Sequence, residues 1–121
     1  MKILCERDVL IEAVNVVSRA ASGRSSLSVL EGIYMRASEN GELILIGNDL
    51  EIGIEAKIEA TVSEPGEVVL AAKMLGSIVR SLPMPQVSIE VNEKNMALMK
   101  SGAFKCEIAG ISAAEFPDLP L

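Results

Sequence analysis

Residues 32–46 read GIYMRASENGELILI, and this stretch decides how the rest of the chain is interpreted. It consists of two runs with apolar residues at alternate positions, separated by the dipeptide Asn40-Gly41. A period of two is typical of a half-buried β-strand, and Asn-Gly between two such runs favours a tight hairpin turn. The stretch therefore predicts an antiparallel pair of strands over residues 32–37 and 42–46.

Two helices and further strands account for most of the remaining chain. A helix is predicted over residues 7–21, because Leu10, Val14 and Val17 recur at helical spacing. A second helix is predicted over residues 72–82, and Pro83 prevents it from continuing. The other predicted strands are residues 2–5, 51–58, 66–70, 87–91, 96–100 and 104–108. Turns are predicted at 47–51, which reads Gly-Asn-Asp-Leu-Glu, and at 61–66.

The order of these elements is a strand, a helix and three strands, followed by the same five elements again. This order indicates an internal duplication of roughly 60 residues with little identity between the halves. Two helices cannot cover both faces of eight strands, so we expect both to pack on one face of a largely antiparallel sheet. The predicted fold class is α+β, and the 121 residues form one domain.

The composition excludes several kinds of chemistry. Half of the residues are hydrophobic, yet no run of about 20 apolar residues exists, so no membrane-spanning helix is expected. The absence of histidine rules out Ser-His-Asp and Cys-His catalysis and every histidine-ligated metal site. Cys5 and Cys106 lie far apart, which favours two buried, reduced thiols in a cytoplasmic protein. The sequence predicts no catalytic residue, no metal and no cofactor.

Charge is distributed unevenly along the chain, whose net charge is −6. The predicted helices with their flanks, residues 7–30 and 68–89, carry five basic and two acidic residues, whereas the remainder carries six basic and fifteen acidic residues. A shared helical face would be weakly positive, which suits a polyanion held loosely through its phosphates. The alternative is an ordinary scatter of charge on an α+β protein-interaction domain with no DNA role.

Short motifs along the whole chain carry a resemblance to a known family. They include Glu6-Arg7, Gly23-Arg24, Gly47-Asn48-Asp49-Leu50-Glu51, Glu64-Pro65-Gly66, Ala72-Lys73, Arg80-Ser81-Leu82-Pro83, Lys100-Ser101-Gly102 and Phe116-Pro117-Asp118-Leu119. In order and spacing they resemble the N-terminal domain of the bacterial DNA polymerase III beta subunit, the sliding clamp. The resemblance implies a subunit of three such domains, two copies of which close head to tail around duplex DNA.

The same resemblance implies a function and a set of partners. The ring is a processivity factor and not an enzyme; its helices line the central hole, and its sheets form the rim. It serves the replicative polymerase and is opened by a clamp loader, both of which bind in later domains. Residues 1–121 are then the first domain of the subunit.

Individual residues acquire expected roles from this resemblance. Arg24 matches the DNA-contacting arginine of the family, Lys73 and Arg80 form a phosphate-facing track on the second helix, and Arg7 is a weaker candidate. Phe104, Lys105, Cys106 and Ile108 lie on a strand that resembles the edge strand facing the third domain of the next subunit. Met74 and Ile78 are expected to contribute to that interface, and Lys73 could serve either surface. The alternative for this strand is an internal position in the core.

Overall fold

A computed structural model describes residues 1–21 and 28–117 of the chain. Both predicted helices and all eight predicted strands are present, with ends shifted by one to three residues. The elements are β1 (Lys2–Glu6), α1 (Arg7–Ser18), β2 (Gly32–Ser38), β3 (Glu42–Asn48), β4 (Gly53–Glu59), β5 (Thr61–Glu64), β6 (Gly66–Ala71), α2 (Ala72–Ser81), β7 (Gln86–Val91), β8 (Met96–Ser101) and β9 (Phe104–Ala109), with short 3₁₀ turns at Ser28–Glu31 and Ala113–Glu115.

One strand was not expected. The segment Thr61–Glu64, predicted as a turn, forms β5 and pairs antiparallel with β1, with Val62 opposite Ile3. Val62 packs against the core, which gives this polar segment one apolar anchor. The prediction of a turn over residues 61–66 is therefore wrong, because the pairing partner of β5 lies at the other end of the first half.

The strands form two antiparallel sheets and not the single sheet expected from the sequence. The first sheet has the order β5-β1-β7-β8-β9, and the second has the order β4-β3-β2-β6. In each sheet, three consecutive strands of one half of the chain accept the first strand of the other half: β1 pairs with β7, and β6 pairs with β2. The duplication predicted from the element order is thus visible in the topology, and the α+β fold class is confirmed.

The helices pack against each other and share one core with the sheets. Leu10 and Val14 of α1 and Leu75 and Val79 of α2 are fully buried in it. The approach of β3 to α1 requires a residue without a side chain at Gly47, since a Cβ there would lie 2.1 Å from the carbonyl oxygen of Val17. In the described part of the chain no helix is long and apolar enough to cross a membrane.

The C-terminal end of α2 and the loop that follows it are held by specific contacts. Leu82 adopts an extended conformation with ψ of 126° because the next residue is Pro83, and the helix ends there. The loop that follows is held by Ser101, which is 2% exposed. The Ser101 hydroxyl accepts a hydrogen bond from the Met84 N–H at 3.0 Å and donates one to the Met84 carbonyl oxygen at 3.1 Å.

Candidate nucleic-acid interface and subunit edge

Lys73 and Arg80 lie in one open groove of about 550 Å³ between the two helices. They are seven residues apart on α2, and both side chains are exposed. The other polar residues that line the groove are Asn15 and Ser18 of α1 and Glu31. We call this surface the helix groove. The structure therefore brings Lys73 and Arg80 together on an exposed surface, as the helical spacing predicts.

The helix groove contains two cations, Lys73 and Arg80, and one carboxylate, that of Glu31. The only ion pair within the described residues joins Arg7 to Asp8, so neither Lys73 nor Arg80 is paired with a carboxylate there. A Cβ on Gly76 would lie 3.2 Å from Nη1 of Arg80, which shows that the guanidinium lies along the glycine surface of the helix. Two unpaired cations beside an amide and a hydroxyl can contact phosphate oxygens without reading bases.

Arg7 occupies a different environment from the one expected. Its Nη1 donates a hydrogen bond to the carbonyl oxygen of Leu82 at 3.2 Å, and its Nε donates to Oδ1 of Asp8 at 3.0 Å. Its backbone N–H also donates to the carbonyl oxygen of Pro85 at 2.7 Å. The side chain thus joins the start of α1 to the end of α2. Arg7 therefore has a structural role that the sequence did not predict, and its expected contact with DNA stays a prediction.

The other residue expected to contact DNA, Arg24, lies outside the described residues, which omit 22–27. Its proposed role rests on the Gly23-Arg24 motif and on the position of that motif after α1. It stays a prediction.

The strand expected at the subunit interface is the end strand of its sheet. β9 pairs with β8 on one side, and no other described strand pairs with it. The alternative of an internal strand is therefore wrong. Lys105 and Glu107 are exposed on the outer face of the sheet, whereas Phe104 and Cys106 are half-buried on the inner face.

Ile108 requires a correction, because it is only 2% exposed and belongs to the core of this domain. Its side chain is unavailable to a neighbouring subunit, so only its backbone can take part in an interface. Met74 is 52% exposed, and Ile78 is half-buried against the core, so α2 does present apolar surface. Whether Met74 and Ile78 touch a partner remains a prediction.

The two cysteines differ in environment. Cys5 is buried in the core, and this burial, with a smaller contribution from Glu6, raises the pKa of its thiol to about 11. Cys106 is half-buried on β9, so the expectation of two buried thiols holds for Cys5 alone. Neither cysteine forms a disulfide among the described residues.

Sequence reasoning missed the segment that follows β9. The N–H and carbonyl of Ile111 both bond to Val69 of β6, which covers that edge of the four-stranded sheet. Phe116 stacks on Tyr34 with ring centroids 5.5 Å apart. Burial, together with a hydrogen bond from the hydroxyl to the Glu67 carboxylate, raises the pKa of Tyr34 to about 12. The chain has only three aromatic residues, and this scarcity is the signal in the sequence that could have indicated a contact between two of them.

Comparison with known proteins identifies close relatives of the whole chain. The family described as "DNA polymerase III beta subunit, N-terminal domain" matches residues 1–120. The beta sliding clamp of Bacillus subtilis (strain 168) is 35% identical over 128 residues, which cover 99% of this chain and 34% of that protein. The beta sliding clamp of Halalkalibacterium halodurans is 32% identical and is also covered to 34%. The chain therefore spans about a third of the length of the curated relatives it matches.

Solved structures give the same result. The DNA polymerase sliding clamp from Bacillus subtilis superposes with a TM-score of 0.96 at 35% identity, over the whole of this chain and 34% of that one. A putative DNA polymerase III beta subunit from Eubacterium rectale superposes with a TM-score of 0.95 at 37% identity, over the whole of this chain and 33% of that one.

Proposed function

Because this chain belongs to the family of the N-terminal domain of the DNA polymerase III beta subunit, we propose that it is the first domain of a sliding clamp that encircles duplex DNA. Its relatives named beta sliding clamp are about three times as long, which supports a subunit of three domains. Two subunits close head to tail into a ring. The ring holds the replicative polymerase on its template, and its function is processivity and not catalysis.

The observation that carries this proposal is the pair of cations in the helix groove, which form no ion pair among the described residues. Lys73 and Arg80 are exposed together, and the helix that bears them contains no acidic residue. Contacts to phosphates are independent of sequence and weaken steeply with salt, since each neutralised phosphate contributes about −0.9 to the salt slope. A clamp that slides needs this kind of contact, because tight or base-specific contacts would stop it.

The acidic surfaces of the two sheets support the same orientation of DNA. Eight glutamates lie on strands of these sheets and are exposed or partly exposed: Glu6, Glu42, Glu55, Glu59, Glu64, Glu67, Glu90 and Glu107. Their field repels a duplex from the sheets, so only the helical side is left for DNA. The net charge of −6 is therefore compatible with a DNA-encircling function.

The other partners follow from the position of this domain in the ring. The β9 edge accepts the third domain of the neighbouring subunit by strand addition, which continues the sheet across the joint. The polymerase and the clamp loader bind the later domains. The domain needs no cofactor for this structural task, and the ring works in the cytoplasm.

A chimaera tests this function directly. The first domain of the Bacillus subtilis clamp is replaced by this chain, loaded onto nicked circular DNA and followed by gel filtration before and after the DNA is linearised. We expect the chimaera to stay on the circle and to leave the linear molecule, because the attachment is topological. A chimaera that closes into a dimer yet leaves the circle as fast as the line would overturn the proposal in favour of an interaction domain without a DNA role.

A second variant distinguishes the contact of the helix groove with DNA from the closure of the ring. Lys73→Glu with Arg80→Glu places two anions in the helix groove without touching the core, since both side chains are exposed. We expect this chimaera to form the dimer normally and to load several-fold more slowly. Unchanged loading would remove the helix groove from the proposal.

A further inference from the structure

We propose that the β9 edge also binds the β9 edge of a second copy of this chain, as an antiparallel strand pair centred on Cys106. The occupant is different from the third domain of a neighbouring subunit, and the argument rests on the chemistry of β9 alone. It is independent of the function proposed above.

The open edge of β9 exposes the backbone groups of specific residues. β8 and β9 are joined by the two-residue turn Gly102-Ala103, in which Gly102 has a φ of 58°, the first position of a type II′ turn. In such a hairpin the flanking residues Ser101 and Phe104 form a hydrogen-bonded pair, and every second pair after it is hydrogen-bonded too. Phe104, Cys106 and Ile108 therefore bond to β8. The N–H and carbonyl groups of Lys105 and Glu107 point to the open edge.

The side chains of β9 are complementary to themselves when the strand is reversed. Residues 104–108 read Phe-Lys-Cys-Glu-Ile, an apolar residue, a cation, a cysteine, an anion and an apolar residue. In an antiparallel pair centred on Cys106, each Lys105 lies opposite Glu107 of the other copy. Each Phe104 then lies opposite Ile108, on the inner face. Opposite charges at such cross-strand positions stabilise the pair, and like charges destabilise it.

Lys105 has no partner of opposite charge in the part of the chain that the structure describes. It pairs across the strands with Lys100, a like charge, and it forms no ion pair among the described residues. Glu107 lies opposite Leu98, which offers it no cation. A second copy of β9 supplies an anion to Lys105 and a cation to Glu107 at the same time.

The charge order also selects which edges can meet. The end strand of the other sheet, β4, carries Glu55-Ala56-Lys57, the reverse order of Lys105-Cys106-Glu107. An antiparallel pair of β4 with β9, centred on Ala56 and Cys106, places Glu55 opposite Glu107 and Lys57 opposite Lys105. This mixed pair is disfavoured by two like-charge contacts, so β9 favours a second β9 over β4.

A disulfide between the two copies of Cys106 can trap the proposed strand pair. Because Lys105 and Glu107 form the hydrogen-bonded positions, Cys106 stands opposite Cys106 of the second copy at a non-hydrogen-bonded position. The Cα atoms at such a position are about 4.5 Å apart, within the range of a disulfide. Diamide then joins the two thiols: one S–S bond forms, and the two hydrogens with their electrons reduce the azo group of diamide to a hydrazine. The buried Cys5 does not compete.

The test uses this chain at increasing concentration. The disulfide-linked dimer that diamide produces is quantified on a non-reducing gel, and the mass in solution is measured by sedimentation equilibrium. We expect a weak dimer whose trapped fraction rises with concentration and disappears in Cys106→Ser. Lys105→Glu and Glu107→Lys each place like charges opposite one another and should weaken the dimer by about tenfold. The double variant Lys105→Glu/Glu107→Lys restores opposite charges and should restore the dimer, as should an equimolar mixture of the two single variants.

Each alternative outcome is informative. Lys57→Glu on β4 is the control, and we expect it to leave trapping through Cys106 unchanged. Trapping that is indifferent to charge, or that fails to return in the double variant, would overturn the self-pairing. Retention of the chimaeric clamp on circular DNA is measured separately and does not depend on self-pairing. The failure of one proposal is thereby distinguished from the failure of the other.

Discussion

The two halves of the domain have the same order of elements, yet they differ wherever they face solvent. Leu10 and Val14 of α1 occupy the places that Leu75 and Val79 occupy in α2, and all four are fully buried. The exposed positions diverge: α1 presents Asp8 and Glu12, whereas α2 presents Lys73 and Arg80 and no acid. The comparison teaches that the buried positions are tied to the shared fold, while the surface of each half was free to acquire a separate task.

The largest effect should come from the positions that the halves share. Leu10→Ala and Leu75→Ala each remove a fully buried side chain. We expect each substitution to lower the free energy of unfolding by about 2 to 5 kcal/mol, through lost burial and a residual cavity. Urea unfolding followed by circular dichroism measures both values.

Exposed neighbours provide the control for these two variants. Val9 is 40% exposed on α1 and Met74 is 52% exposed on α2, so Val9→Ala and Met74→Ala should each cost less than about 1 kcal/mol. A cost below 1 kcal/mol for only one of the two buried leucines would show that the halves do not contribute equally to the core.

An intermediate effect on the free energy of unfolding is expected at a buried position that is a cysteine in one half and a leucine in the other. Cys5 of β1 has its counterpart in Leu70 of β6, the last buried residue before each helix. Burial raises the pKa of Cys5 from 9.0 to about 11, so the unfolded chain loses this proton first. The stabilisation is complete below pH 9 and is lost as the pH rises from 9 towards 11.

The measurement compares the original chain with Cys5→Ala at about pH 8 and about pH 10.5. Between these two values the original chain should lose up to about 2 kcal/mol more of its unfolding free energy than the variant does. All other ionisable groups are present in both proteins, so their contributions cancel in the difference. Parallel pH profiles for the two proteins would show that the thiol ionises equally well in the folded state.

The smallest effect should distinguish two cations near the equivalent helix starts. Arg7→Ala removes the hydrogen bond to the carbonyl of Leu82 and should cost about 1 kcal/mol. Lys73→Ala removes an exposed cation without an ion pair, and its cost should stay within about 0.5 kcal/mol. Thermal unfolding of the two variants side by side measures the difference. Equal costs would show that the hydrogen bond from Arg7 to Leu82 does not contribute to stability.

Local periodicity was sufficient to predict most of the fold. Both helices and eight strands follow from apolar residues at helical or alternating spacing, and Asn40-Gly41 does join β2 to β3. The division into two sheets was not predictable in this way, because the pairing of β1 with β7 joins residues at opposite ends of the chain. β5 was missed for the same reason, since four mostly polar residues become a strand only beside β1.

The candidate site was predictable where spacing along one helix determines it. Lys73 and Arg80 share a groove because they are two helical turns apart. The structural contact of Arg7 was not predictable because its partner, the carbonyl of Leu82, lies far away in sequence and is placed by the packing of α2 against α1. Ile108 was misjudged because alternation along β9 identifies its apolar face but does not say whether that face packs inside the domain or against a neighbouring subunit.

The exchange of first strands between the halves has a consequence for synthesis of the protein. A ribosome releases β1 long before β7 exists, so the first half emerges with β2, β3 and β4 able to pair, while β1 lacks β7, the central strand of the five-stranded sheet. That sheet cannot form until most of the domain has left the exit tunnel. A message truncated near the boundary of the halves therefore yields a nascent chain with open strand edges, a substrate for chaperones and proteases.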